Sequence, residues 1–277
     1  RDRSPSRGLG DVYKRQPLDV IAVSEAEVFI YNGGESELWV EDILDAAGEA
    51  IPYRLAMMDC VETYREEYAE GMQGGHDHDH DDHDHDHDDH DGHLHDGHEE
   101  EIEYDEHIWT SPVNAMALCR AICDTLCEAD PDNADGYRAR LADYLDELQA
   151  LDNTFRDIVD GAARRLVVFG DRFPLLYFCR EYDLDYRAAF HGCAGDTEPS
   201  LATLKYLIDV VEEQEIPVVY TIELSSRKVA QAIAETTGAQ VRTFHSCQTV
   251  SRTEFDGGAT YISLMTANAA ALKEGLS

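Results

Sequence analysis

The sequence predicts an α/β protein of two lobes, each with a small mostly parallel sheet flanked by helices, joined by one long linking helix. Three observations carry that expectation. Short apolar runs closed by Gly, Pro, Asn or Asp alternate with amphipathic stretches, the alternation is most regular after residue 164, and one apolar stripe between the two halves keeps helical spacing for about six turns. A chain of 277 residues with 43% hydrophobic content has ample material for buried cores.

In order along the chain, Pro17 to Val23 reads as a helix and Val28 to Tyr31 as a strand ending at Asn32-Gly33-Gly34. A helix follows with Leu38, Val40, Ile43 and Leu44 on one side and a stop at Gly48. Tyr53 to Met57 reads as a second strand, and Ser111-Pro112 as a helix start. After Asp130-Pro131-Asp132-Asn133, a helix-start cluster, Tyr137, Leu141, Tyr144, Leu148, Leu151, Phe155 and Ile158 recur at spacings of four and three. That is the long helix. Strands are then expected at Leu166 to Phe169, Tyr186 to Phe190, Pro217 to Ile222 and Gln240 to Phe244. The helices between and after them are Phe173 to Tyr182, Ser200 to Glu213, Ser225 to Thr237 closed by Gly238, and Thr260 to Leu272.

The domain reading that follows has four parts. Residues 1–16, RDRSPSRGLGDVYKRQ, are a non-native or disordered leader. Residues 17–133 are an N-terminal lobe truncated at its start and carrying a mobile loop at 71–101. Residues 134–163 are the linking helix, and 164–277 the C-terminal lobe.

Charge narrows the function. With 22 Lys and Arg against 58 Asp and Glu, the net charge of −36 excludes nucleic acid as a partner, because a phosphate backbone needs a basic face. No run of eighteen apolar residues spans a bilayer. Residues 76–106 hold sixteen acidic side chains and no Lys or Arg. Within them His76, His78, His80, His83, His85, His87, His90, His93, His95 and His98 alternate with aspartate. Such a run offers almost no apolar surface to offset the entropy of ordering, so it reads as a mobile metal-chelating segment.

The other three histidines are His107, His191 and His245. The last two fall at predicted strand ends, where open α/β sheets bind ligands, and Asp171, Glu198 and Glu223 follow strands or open helices. Imidazole and carboxylate are the donors a borderline ion such as zinc accepts, so His107, His245, His191 and Asp171 are the candidate metal ligands. Glu198 and Glu223 are expected to satisfy backbone amides rather than bind metal. No HExxH, nucleophile elbow or phosphate-binding glycine loop supports an enzyme.

Tyr31-Asn32-Gly33-Gly34-Glu35-Ser36-Glu37-Leu38-Trp39-Val40, the acidic His-rich insertion, Asp105-Glu106-His107-Ile108-Trp109-Thr110-Ser111-Pro112, the long helix, Glu198-Pro199-Ser200 and Glu223 resemble the zinc-binding solute-binding proteins of ABC importers. The group also contains manganese binders, and an insertion of this kind just before the Asp-Glu-His-Ile-Trp motif is typical of the zinc branch. The resemblance implies an interlobe zinc ion (Mn2+ less so) held by about three histidines plus a carboxylate or water. It implies a monomer working outside the cytoplasmic membrane, lipid-anchored or periplasmic, with a membrane permease and its cytoplasmic ATPase as partners. His107 matches the family's first-lobe histidine.

This chain departs from the pattern in three places. The family's earliest histidine would precede Pro17, its His-x-Ala-Phe stretch is replaced by Gly170-Asp171-Arg172-Phe173-Pro174, and its late aspartate by Phe244-His245-Ser246-Cys247. Asp171 or His191 is expected to substitute for the second-lobe histidine. Cys193 and Cys247 follow strands near these candidates, as a disulfide, as thiolate ligands or as two free thiols. The competing reading is an extracellular zinc store or adhesion protein acting through the His-rich loop.

Overall fold

The computed structural model describes residues 25–47, 51–67, 104–192 and 199–277, together with 23, 69, 71 and 72. The expected helix at 17–23, the leader and the His-rich run lie outside these residues, apart from single positions. The chain divides into two compact units, one of residues 1–63 and 111–152, the other of residues 64–110 and 153–277. Both are α/β with parallel pairing.

In the first unit, β1 (Val28–Tyr31) pairs in parallel with β2 (Tyr53–Ala56), Val28 opposite Tyr53 and Tyr31 opposite Ala56. Parallel neighbours require a crossover, and α1 (Trp39–Ala47) supplies it. Val40, Leu44 and Ile51 are buried against Phe29, Tyr31 and Trp39. Leu38, expected on the same face, is instead 60% exposed because the helix begins one residue after it. The chain leaves β1 through Gly33 (φ 88°) and Gly34 (φ 96°), a left-handed pair that side chains rarely tolerate. The Gly33 amide donates to Glu37 Oε2 at 2.9 Å.

The same unit holds α2 (Pro112–Ala129), started as expected by the Ser111 hydroxyl accepting from the Asn114 amide and by Pro112 at the first helical position. The long helix, α3, runs Ala134–Asp160. Its start is fixed by Asp130, whose carboxylate accepts from Asn133 Nδ2 and Tyr137 OH, both at 2.8 Å. These bonds hold the Asp130 carboxyl below the ordinary carboxylate range. Leu148, Leu151 and Phe155 are buried as the spacing requires, but the last buried position is Val159 and not Ile158. A stripe read at 3.5 residues per turn drifts off the face of a 3.6-residue helix.

In the second unit β3 (Leu166–Phe173), β4 (Asp185–His191), β5 (Val218–Thr221) and β6 (Gln240–Thr243) form one parallel sheet in the order β4-β3-β5-β6. All four residues of β5 are buried, as in strands covered on both faces. The helices are α4 (Leu176–Glu181), α5 (Leu201–Glu213), α6 (Lys228–Thr237), α7 (Arg252–Asp256) and α8 (Tyr261–Gly275). One side of the core is aliphatic, with Val168, Leu207, Val219, Ala230 and Ile233 almost wholly buried. Phe155, Phe169, Phe178, Tyr220 and Phe244 fill another part as a chain of tilted and edge-on rings.

Three features depart most from expectation. β3 continues through Gly170-Asp171-Arg172 by way of a register shift between Phe169 and Arg172, so α4 starts only after Pro174. α6 starts at Lys228 rather than Ser225, because Leu224 (φ 56°) and Arg227 (φ 59°) are left-handed. α7 was not anticipated, although Ser251 and Glu254 form a reciprocal capping box that is visible as Ser-x-x-Glu in the sequence.

Candidate functional site

The chemistry-bearing side chains of the second unit form three groups, all near carboxyl ends of its strands. The first centres on His107, which is 5% exposed. Its backbone amide donates to Asp105 Oδ1 at 2.8 Å, and its ring Nδ1 lies 3.1 Å from the same oxygen. A carboxylate can only accept, so Nδ1 carries the proton and Nε2 keeps its lone pair. Metal-binding histidines are held in this way, with one ring nitrogen fixed by a carboxylate and the other presented to the ion.

Asp105 is itself fixed. Its amide donates to the Tyr64 carbonyl at 2.9 Å, and its carbonyl accepts from Tyr177 OH at 2.6 Å. The Tyr177 hydroxyl accepts in turn from the Tyr64 amide, and burial pushes its pKa up to about 12. Trp109 stands edge-on to His107 with ring centres 5.5 Å apart and donates its indole N–H to the Ser246 carbonyl. Tyr261 OH donates to the Trp109 carbonyl. The His107 segment is therefore tied down from both sides. Asp105→Ala, which removes the orienting carboxylate, is expected to free the His107 ring and shift its NMR resonances with the fold intact, as measured by circular dichroism.

Beside His107 stands a residue the sequence analysis missed. The Glu66 side chain is 6% exposed, and its Oε2 lies 3.1 Å from His191 Nδ1. A Cβ placed on Gly192 would sit 3.4 Å from both Glu66 Oε1 and His107 Cε1, so the carboxylate and the imidazole border one small space over that glycine. Glu66 lies in the acidic stretch leading into the His-rich run, where nothing in its spacing distinguishes it from Glu62 or Glu67.

The second group holds Asp171. It lies within the irregular part of β3, with Oδ1 accepting from the Arg172 amide at 2.9 Å and Oδ2 from the Ile222 amide at 3.2 Å. Between β3 and β5 the chain reverses direction across the sheet, the position where open α/β sheets bind ligands. A cavity of about 660 Å³ opens there, lined by Asp171, Arg172, Glu223, Ser225, Lys228 and Gln248 among others.

The third group holds His245, also 5% exposed. Its Nδ1 accepts from the Cys247 amide at 2.9 Å, which places the proton of the neutral ring on Nε2. Nε2 is buried, has no hydrogen-bond partner among the described residues, and lies 3.8 Å from Glu254 Oε1. Glu223 accepts from the Ser246 amide and hydroxyl, so it satisfies a backbone amide as expected, though in the loop after β6 rather than at a helix start. Cys247 is left-handed (φ 62°), and burial raises its thiol pKa to about 12. Cys193, Glu198 and the ten loop histidines lie outside the described residues.

The structure thus brings His107 and His191 together by way of Glu66, and gives both oxygens of Asp171 and the Nδ1 of His245 backbone amides to hold. Among the described residues no three His, Cys, Asp or Glu side chains are gathered tightly enough to hold a metal ion. Among them, too, no helix is long and apolar enough to cross a membrane.

Comparison with known proteins gives a consistent picture. A family model described as zinc-uptake complex component A, periplasmic (ZnuA), matches residues 11–275. The chain is 30% identical over 263 residues to the high-affinity zinc uptake system protein ZnuA of Bacillus subtilis strain 168, covering 94% of this chain and 75% of that protein. It is 27% identical to the zinc-binding lipoprotein AdcA of Streptococcus pneumoniae serotype 4, where 95% of this chain spans only 48% of the relative. The crystal structure of the metal-dependent lipoprotein YcdH from Bacillus subtilis is similar over 99% of this chain and 89% of its own, with a TM-score of 0.74 at 25% identity. The Zn(II)-bound ZnuA-like domain of Streptococcus pneumoniae AdcA shares the fold with a TM-score of 0.71 at 23% identity, over 95% of this chain and 85% of its own.

Proposed function

The chain belongs to the family of periplasmic zinc-uptake components A, and from that premise we propose that it captures zinc outside the cytoplasmic membrane and delivers it to an ABC permease driven by a cytoplasmic ATPase. Zinc is cargo here, so the site must both select the ion and release it. The observation that carries the reading is His107, buried, with Nδ1 occupied by Asp105 and Nε2 left as a donor. A donor oriented before the ion arrives costs little reorganisation on binding.

His107 is the anchoring ligand, with His191 and Glu66 as its nearest companions. His245 joins the ion through Nδ1 only by releasing the Cys247 amide, whereas each Asp171 oxygen accepts one amide and has a second lone pair to offer. Nitrogen and carboxylate donors suit zinc, and manganese less well, since imidazole favours the later metals. The His-Asp run of residues 76–98 acts as an auxiliary collector. Its composition offers almost no apolar surface to offset the entropy of ordering around an ion, so modest affinity and fast exchange are expected there.

The test is a competitive zinc titration of the chain with residues 74–101 replaced by a short Gly-Ser linker. One tight ion is expected to remain while several weaker ones are lost. Loss of the tight ion together with the weak ones would transfer the function to the His-rich run and favour a zinc store.

A further inference from the structure

Cys119, Cys123 and Cys127 occupy one face of α2 at four-residue spacing. Cys123 and Cys127 are 5% and 9% exposed, and their sulfurs lie 3.9 Å apart. Nothing in the zinc reading uses them, and they belong to the first unit, whereas His107, His191 and Glu66 belong to the second. We propose that Cys123 and Cys127 form a dithiolate site for a thiophilic cation of the Cu(I) or Cd(II) class.

The separation of the sulfurs carries the argument. Two thiolates 3.9 Å apart subtend about 116° at an ion held at about the 2.3 Å of a zinc–thiolate bond, and somewhat less at the longer bonds of Cd(II), in the range of tetrahedral to trigonal coordination. The pair thus already has the span of two metal ligands. A disulfide fits less well. It needs the two Cβ atoms within about 4.5 Å, whereas residues four apart on a helix hold them about 5–6 Å apart. Forming one would unwind the last turn of α2, while an ion fits between the sulfurs as they stand.

A backbone acceptor lies beside the pair. Cys127 Sγ lies 3.7 Å from the Ala134 carbonyl, to which its thiol donates. When the ion binds, both thiols release their protons to solvent. Tyr137 and Leu141 pack against the pair and limit exchange with water. Soft sulfur donors select ions that imidazole and carboxylate do not, so a thiophilic ion entering with zinc is held by a different donor set.

The experiment uses the full chain, reduced and loaded with one equivalent of Zn(II), and adds Cd(II) while following thiolate-to-metal charge-transfer absorption. One equivalent is expected to saturate the band. Cys123→Ala and Cys127→Ala should each abolish it, and Cys60→Ser should leave it unchanged. Because an alanine variant can fail to fold, cadmium NMR of the unaltered chain supplies a second reading, with one resonance expected in the range of sulfur coordination. Absence of the band and of that resonance, or a band that survives both alanine variants, overturns the proposal.

Discussion

With residues 74–101 replaced by a Gly-Ser linker, His107→Ala is expected to eliminate tight zinc binding, lowering affinity by more than the roughly 100-fold that loss of an orienting partner alone can cause. The size follows from what the ring supplies. Nε2 of His107 keeps its lone pair on a buried residue, because Asp105 holds the proton on Nδ1. Asp171 and His245, in contrast, have their donor atoms engaged by backbone amides. The substitution leaves Asp105 with the His107 amide, so its buried carboxylate is not stranded and the fold should survive. Unchanged far-ultraviolet circular dichroism with the tight ion lost supports the assignment. A tight ion retained would move the site elsewhere.

The same atoms make the comparison with Asp105→Ala informative. If His107 is a ligand and Asp105 its orienting partner, the first substitution must cost more than the second, and the double variant little more than the first. Equal and additive losses would mean that both residues act through the local fold. Tyr177 and Tyr64 hold the Asp105 backbone in either case, so the segment keeps its place when a side chain is removed.

Much of the fold was legible because period and punctuation agree. Val28–Tyr31, Trp39–Ala47 and Leu201–Glu213 have the expected limits within a residue, since Gly33-Gly34, Gly48 and Ser200 are local signals that need no tertiary contact. Apart from α7, whose Ser-x-x-Glu start is local, the main errors fall where contacts beyond the local pattern decide. β3 runs past Gly170 because Arg172 and Phe173 find partners in Phe190 and His191, which no local pattern foretells. The site divides in the same way. His107 stood out through its Asp-Glu-His-Ile-Trp setting, whereas Glu66 becomes distinctive only when β4 carries His191 to it.

Gly170→Val is expected to destabilise the second unit by about 3 kcal/mol or more, the upper end of the range for overpacked cores. Glycine is required there by proximity, not by backbone angle. A Cβ on residue 170 would lie 2.5 Å from Ala230 Cα, 2.6 Å from its nitrogen and 2.9 Å from its Cβ, so the obstacle is the backbone of α6. Ala230 and Ile233 are fully buried against Val168 and Val219, which leaves the helix no room to retreat without opening the aliphatic core. At roughly 2–4 °C per kcal/mol for a unit of this size, the melting temperature should fall by about 6–12 °C. Ala230→Gly removes only the most distant of the three contacts, so the double variant should recover a minor part of the loss. Full rescue would mean that side-chain crowding alone sets the helix against the strand. A negligible effect of Gly170→Val would mean that α6 and the Asp171 segment move freely together, and that the close approach is not what holds the carboxylate of Asp171 under the Ile222 amide.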